Sequence, residues 1–219
     1  MLLTANEIQA TGPIAADYEA LWADVQQIAD RVHTAKGEDR AWAWDHLLLA
    51  VANFKTQATL FPPTLPGLRT PIRRKDALKV TLASGPLKLR AGDPSTWRAL
   101  SSEMKGLREP RATTVLSALW PDRHVIMDWR ALSAAVALAG ARLGWDKSPA
   151  DPDGTGPAER SWESYDWYRK TVLKAARQAQ RRPVDVERAL YTLGRSSPGI
   201  TWAAYAAQIQ EHITGLSSS

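Results

Sequence analysis

Residues 104–132 read MKGLREPRATTVLSALWPDRHVIMDWRAL, and this stretch decides how the rest of the chain is interpreted. Gly106 predicts a tight turn, and Pro110 opens a helix, because proline suits the first turn of a helix. The apolar run 125–127 then leads to Asp128, a favoured residue type at a helix N-cap. The segment therefore predicts a turn and two helices joined by a short apolar connection.

Basic side chains surround the turn at Gly106. Backbone N–H groups at a turn that opens a helix form a natural site for a phosphate group. Lys105, Arg108 and Arg111 lie beside this turn in the sequence. Charge and backbone geometry therefore point to the same kind of ligand, a phosphate of a polyanion.

The segment resembles the helix-hairpin-helix DNA glycosylase superfamily, in particular its 8-oxoguanine glycosylase branch and the compact bacterial type, which includes members acting in phage defence. The hairpin's first glycine corresponds to Gly106 and its apolar residue to Leu107, the helix alanine to Ala112, and the acidic residue to Asp128. A second stretch, DVERALYTLGR at 185–195, resembles the helix that follows the catalytic one. The matched segments together cover about 40 residues.

The resemblance implies a fold for the whole chain. We expect an all-α, helix-hairpin-helix glycosylase-like domain over 1–219, with about nine helices in two lobes and a cleft between them. The hairpin falls at 104–119 and the catalytic-Asp helix at 128–143. Composition predicts a flexible loop at 145–158, rich in Asp, Pro and Gly, and a disordered tail at 215–219.

Apolar spacing is helical almost throughout the chain, and the only stretch ambiguous between helix and strand is 78–90. Prolines and glycines separate the helical stretches. The predicted helices cover 14–35, 40–57, 75–83, 95–104, 110–119, 128–143, 161–181, 183–193 and 201–213.

Two interpretations of Asp128 stay open. In the family, the corresponding carboxylate lies beside the deoxyribose, where it stabilises the positive charge that builds up as the base departs. Its position before a helix equally suits a simple N-cap. Both interpretations rely on a negative charge at the N-terminus of the helix, which the helix dipole favours.

The chain departs from the family pattern at two places. Arg108 stands where the hairpin has its second glycine, which changes the turn or requires a strained backbone. Where some members carry a nucleophilic lysine, this chain has Pro110 followed by Arg111. Because arginine stays protonated, it cannot form a Schiff base. The resemblance therefore implies a monofunctional glycosylase without lyase activity.

The expected function is hydrolysis of the N-glycosidic bond of a damaged or modified base in double-stranded DNA, leaving an abasic site. The substrate is either a bulky modified cytosine of phage DNA, hydroxymethylated or glucosylated, or an oxidised purine such as 8-oxoguanine. A non-catalytic DNA-binding module and a helical adaptor for an acidic protein are the competing classes. Base release from modified DNA separates the enzyme from the modules.

A glycosylase holds its target base outside the stack, in a pocket that uses aromatic faces. The chain has 10 Trp, although core packing is the ordinary use of each one. The residues predicted to contact DNA are Lys105, Gly106, Leu107, Arg108, Arg111 and Arg130, and those predicted to line a base pocket are Trp42, Trp44, Asn53, Trp129 and Trp162.

Charge is unevenly distributed along the chain, whose formal net charge is +5. Residues 69–111 carry 11 basic and 4 acidic side chains, and residues 169–188 carry 7 basic and 2 acidic ones. Two basic zones in an otherwise acidic chain favour a polyanion partner. Solvated helix faces are the alternative explanation.

Composition also excludes several classes of chemistry. With Cys 0, disulfides, thiolate metal sites and cysteine nucleophiles are ruled out, and the four His have no metal-ligand spacing. No apolar run reaches the ~20 residues of a membrane span, and the start of the sequence has no basic targeting region. We therefore expect a cytoplasmic monomer that needs no metal, no cofactor and no membrane.

Overall fold

The structure, a computed structural model, describes residues 1–11, 16–56, 97, 109–144, 161–195 and 200–217. Within these ranges the chain is all-α, as predicted, and contains no strand. Eight helices are described there: α1 (Ala5–Ala10), α2 (Ala16–Thr34), α3 (Gly37–Thr56), α4 (Glu109–Leu119), α5 (Trp129–Leu143), α6 (Trp162–Ala179), α7 (Pro183–Leu193) and α8 (Trp202–Ser217).

The helix count therefore differs from the expected nine. The stretches 75–83 and 95–104 lie outside the described residues, except for Trp97, which is helical. Helix α1 was not predicted, although Thr4 and Glu7 form a capping box that marks its start. Helix α8 continues to Ser217, beyond the predicted end at 213 and into the expected tail.

The described chain divides into two compact units. In the unit Ile14–Pro121, helices α2, α3 and α4 pack on one another around a core of large side chains. The ring of Phe54 lies 5.0 Å from that of Tyr18 and 5.4 Å from that of Trp22. The Nε2–H of His33 donates to the carbonyl of Leu119 at 2.8 Å, which joins the ends of α2 and α4.

The other unit combines Met1–Pro13 with Asp122–Ser219, and α5 forms its centre. Helix α5 packs against α6, α7 and α8, and its nine residues from Ala131 to Ala139 are all buried. Its small side chains explain this, because a run of alanines lets neighbouring helices approach closely from several sides. The helix begins at its N-cap, Asp128, and ends at Gly144, whose positive φ of 65° suits glycine.

Helix α1 is fastened to the far end of α5. The Arg142 guanidinium donates to Glu7 at 2.8 and 3.0 Å and to the Leu2 carbonyl at 2.9 Å, and it also contacts Gln210 of α8. These bonds hold the first residues of the chain against helices from its second half. None of the described helices combines the length and the apolar character needed to cross a membrane.

Candidate functional site

Asp128 lies where a buried extended segment meets the N-terminus of α5. Residues 125–127 are buried, whereas Asp128 itself is half-buried. Its backbone is extended (φ −120°, ψ 152°), and its Oδ1 accepts a hydrogen bond from the N–H of Arg130 at 3.0 Å. The apolar segment therefore fixes the backbone, while the carboxylate stays in contact with solvent at the helix end.

The two oxygens of the Asp128 carboxylate, Oδ1 and Oδ2, have different surroundings. Among the residues that the structure describes, Oδ2 of Asp128 accepts no hydrogen bond. An ionised carboxylate with one oxygen held and the other open can stabilise a nearby cation or accept a proton from water. Asp128 is the N-cap of α5, and its second oxygen also has the geometry for stabilising a cation or accepting a proton.

Arg130 is an exposed cation two residues after Asp128. Its guanidinium carbon lies 5.3 Å from the ring centroid of Tyr191 on α7. This cation–π contact holds the side chain over the ring without neutralising its charge. An anionic ligand that reaches Arg130 would therefore also lie close to the first turn of α5.

The end of α7 abuts that same first turn. A Cβ atom at Gly194 would lie 1.9 Å from the carbonyl oxygen of Arg130 and 2.4 Å from its carbonyl carbon. The Gly194 N–H donates to the carbonyl of Tyr191 at 3.3 Å, and the next N–H, of Arg195, donates to the hydroxyl of Tyr205. The segment 185–195 and the start of the predicted catalytic-Asp helix are thus in direct contact.

A buried hydrogen-bond pair anchors the connection that leads to Asp128. The hydroxyl of Tyr165 donates to the carbonyl of Val125 at 3.2 Å, so the Nδ1–H of His124 donates to that hydroxyl oxygen at 3.0 Å. Burial of His124, together with the charges of Arg169 and Arg123, lowers the pKa of His124 to about 4. The lowered pKa keeps the imidazole neutral near pH 7, with its proton on Nδ1.

Arg169 anchors the same connection at a second point. It donates to the Arg123 carbonyl at 2.9 Å and forms an ion pair with Asp166 at 2.6 Å. Its guanidinium carbon lies 5.8 Å from the ring of Trp162, whose ring also lies 5.7 Å from that of Tyr165. Trp162, a predicted base-pocket residue, is thus half-buried on α6 beside these anchors. Trp129 is half-buried at the start of α5.

The other two predicted pocket tryptophans lie on α3, in the unit Ile14–Pro121. Trp44 is completely buried in the core, whereas Trp42 is 41% exposed. The ring of Trp42 lies 3.8 Å from that of His46, and the Arg31 guanidinium lies 5.9 Å from it. As the helical spacing indicates, only one of the pair faces the core.

The remaining predicted residues divide by location. Arg111 is half-buried in the first turn of α4, and Asn53 is a residue of α3. The turn itself, with Lys105, Gly106, Leu107 and Arg108, lies outside the described residues, as does the loop 145–158. In the described ranges, no three His, Asp or Glu side chains gather as a metal site would require.

Sequence reasoning did not find the anchors of the Asp128 connection. His124 and Tyr165 are 41 residues apart, and Arg169 is 46 residues from Arg123. No local pattern links such positions. The sequence offers only two weak signs of these anchors: a single histidine beside an apolar run, and an aromatic cluster at the start of α6.

Comparison of the chain with models of known protein families, with curated proteins and with solved structures gives no match.

Proposed function

We propose that this protein is a monofunctional DNA glycosylase that hydrolyses the N-glycosidic bond of a modified base and leaves an abasic site. The observation that carries the proposal is the geometry of Asp128, whose carboxylate is half-buried at a helix N-terminus with one oxygen held by Arg130. The likeness of 104–132 and 185–195 to helix-hairpin-helix glycosylases supports it. So does the direct contact between Gly194 and Arg130.

In the proposed reaction, the bond between C1′ of the deoxyribose and the base nitrogen breaks, and its electron pair leaves with the base. Positive charge then develops on the sugar. The ionised carboxylate of Asp128 stabilises this charge and orients a water molecule, whose oxygen bonds to C1′. The water's proton passes by way of Oδ2 to solvent, and the departing base takes up a proton from solvent. Arg130 serves as a contact to a backbone phosphate beside the extruded nucleotide.

The residues at the start of α4 determine whether the proposed enzyme also cuts the DNA strand after it releases the base. An additional strand cut would require an amine that attacks C1′ and forms a Schiff base. Pro110 has no amine, and Arg111 keeps its proton near pH 7. The proposed enzyme therefore releases the base and leaves the DNA backbone intact.

For the substrate, we propose a bulky modified cytosine, such as the hydroxymethylated or glucosylated base of phage DNA, with 8-oxoguanine as the second candidate. The departures from the repair-enzyme pattern at Arg108 and Pro110 favour the first, because they fit a loosened choice of substrate. Mass spectrometry of bases released from phage DNA with and without the modification, and from an 8-oxoguanine duplex, distinguishes the two.

Asp128→Asn tests the mechanism. Asparagine caps a helix about as well as aspartate, so the fold is retained while the charge is lost. We expect base release to fall by at least ~100-fold, the scale seen when one charge-stabilising group is removed. Asp122→Asn is the matched control, because it removes an exposed charge from the same connection and should leave the rate unchanged.

The second candidate function is a DNA-binding module without catalysis. The hydrogen bond from Arg130 to Oδ1 favours it, because this bond alone explains an aspartate at position 128. In that case wild type and Asp128→Asn bind a duplex equally well and neither releases a base. Failure to release any base from phage DNA or from a panel of oxidised, alkylated and deaminated duplexes would refute the glycosylase.

A further inference from the structure

The second half of α6 presents a cluster of basic side chains to solvent. Lys174 and Arg177, three residues apart, share one face of the helix, and Arg181 follows directly after its last turn. All three are exposed, while the opposite face, with Val172 and Ala176, is buried. These three residues are called the α6 cations below. Lys174 and Arg177 stand on a helix that packs against α5 and α7 in its own unit, and Arg181 follows its cap residue.

The α6 cations differ from the other basic residues of 169–188 in their neighbours. Arg169 and Lys170 form ion pairs with Asp166. Arg182 and Arg188 lie 2.7 and 3.6 Å from the carboxylate of Asp185. By contrast, the part of the chain that the structure describes gives the α6 cations no ion pair.

The surroundings leave this positive charge uncompensated. From 167 to 184 the sequence contains no acidic residue. An ordinary solvated face mixes the two signs, and cations near the end of a helix also favour its dipole. The dipole accounts for Arg177 in the last turn and for Arg181 next to the cap residue, but not for Lys174 one turn earlier. A polyanion accounts for all three.

We propose that Lys174, Arg177 and Arg181 bind the phosphate backbone of duplex DNA, as a contact surface additional to the predicted turn at 104–111. Lys174 and Arg177 lie about 4.5 Å apart along the helix axis, and Arg181 follows the left-handed cap residue Gln180. Phosphate charges of one DNA strand follow each other every ~3.4 Å along the duplex axis, a spacing comparable to that of Lys174 and Arg177. The contact carries no sequence information and serves to hold the duplex. This inference rests on the proposed DNA-directed function.

The test is the salt dependence of binding to an unmodified 20-base-pair duplex, followed by fluorescence anisotropy. Each phosphate contact contributes about 0.9 to the slope of log affinity against log salt concentration. The double variant Lys174→Gln/Arg177→Gln should therefore lower the slope by about 2, and affinity at 50 mM salt by tenfold or more. Arg181→Gln, made alone, should lower the slope by about 1.

The matched control is Lys36→Gln/Arg40→Gln, which removes two exposed cations beside Glu38 and Asp39 in the other unit. It should leave the slope unchanged. Far-UV circular dichroism and the thermal midpoint establish that every variant is folded. An unchanged slope in the α6 variants, or an equal drop in the control, overturns the proposal. An unchanged DNA slope with lost binding to poly-L-glutamate overturns it in favour of an acidic protein partner.

Base release separates this inference from the proposed function. If modified bases are released while the α6 variants bind duplex like wild type, the enzyme stands and the α6 surface fails. If no modified base is released but the slope falls as expected, the surface stands and the glycosylase fails.

Discussion

Gly194 and the carbonyl group of Arg130 are so close that a side chain at position 194 would overlap backbone atoms. A Cβ there would lie 1.9 Å from the Arg130 oxygen and 2.9 Å from that of Leu190. Gly194 has a φ of −92°, which any residue adopts. Glycine is therefore needed here for space and not for backbone freedom. The contact fixes the end of α7 against the first turn of α5, where Asp128 is the N-cap.

Gly194→Ala should lower the free energy of unfolding by about 1–3 kcal/mol, because two backbone segments must move apart to admit the methyl group. Urea denaturation measures the change. Gly215→Ala is the control: its added methyl group would meet nothing within 4 Å on helix α8. That substitution should stabilise the protein by up to ~1 kcal/mol, since alanine is the better helix former. Equal effects at the two positions would contradict the close contact.

Tyr165→Phe should destabilise the protein by about 1–3 kcal/mol, because the Val125 carbonyl and the buried Nδ1–H of His124 both lose their partner. Tyr191→Phe removes a hydroxyl from a half-buried ring that still lies under Arg130, so it should change stability by less than ~0.5 kcal/mol. Chemical denaturation measures the free energy of unfolding of both variants. A Tyr165→Phe protein as stable as wild type would show that the pair anchors nothing.

Stability should depend on pH through His124. Its pKa is about 4 in the folded protein against the usual 6.5, so between these values the unfolded chain binds more protons. The free energy of unfolding should therefore fall as the pH decreases from about 6.5 to about 4, by up to about 3 kcal/mol. Above pH 7, where His124 is neutral in both states, this contribution is constant.

His124→Gln isolates the effect, because the carboxylates near Arg169 and Arg182 titrate alike in both proteins. Urea denaturation at a series of pH values from 4.5 to 7.5 gives the difference between wild type and variant. That difference should narrow as the pH falls, since only wild type loses stability through the imidazole. Parallel curves would mean that His124 is not buried as a neutral group.

The two tryptophans of α3 should respond differently to truncation. Trp44→Ala empties a fully buried site and should cost about 3–5 kcal/mol, whereas Trp42→Ala, at an exposed site, should cost less than ~1 kcal/mol. Thermal or urea unfolding measures both. Similar costs at both positions would contradict the packing of α3.

Local signals in the sequence were sufficient to place most helices. Pro183 and Gly194 bound α7 where predicted, and Asp128 begins α5, because prolines, glycines and caps act within a few residues. The same signals missed α1, whose six residues are too few to show a periodic pattern, although its capping box is visible in the sequence. Its place in the fold depends on Arg142, far along the chain.

The candidate site was predictable only in part, for a physical reason. Helical spacing indicates that Trp42 and Trp44 cannot both face the same core, but it did not indicate which of the two is buried. Asp128 was identified by its residue type and by the residues around it. The His124–Tyr165 pair and the approach of Gly194 to Arg130 arise from tertiary packing between distant segments, which a single sequence does not encode locally.

The ion pair between Glu7 and Arg142 has a consequence for biosynthesis. The two residues are 135 positions apart, and Gln210, which also contacts Arg142, is made later still. A six-residue helix does not persist alone in water. At ~5–20 residues per second, residues 1–11 wait on the order of ten seconds until Arg142 and α8 have been synthesised. During translation this segment is therefore open to chaperones and proteases until its partners on α5 and α8 have been made.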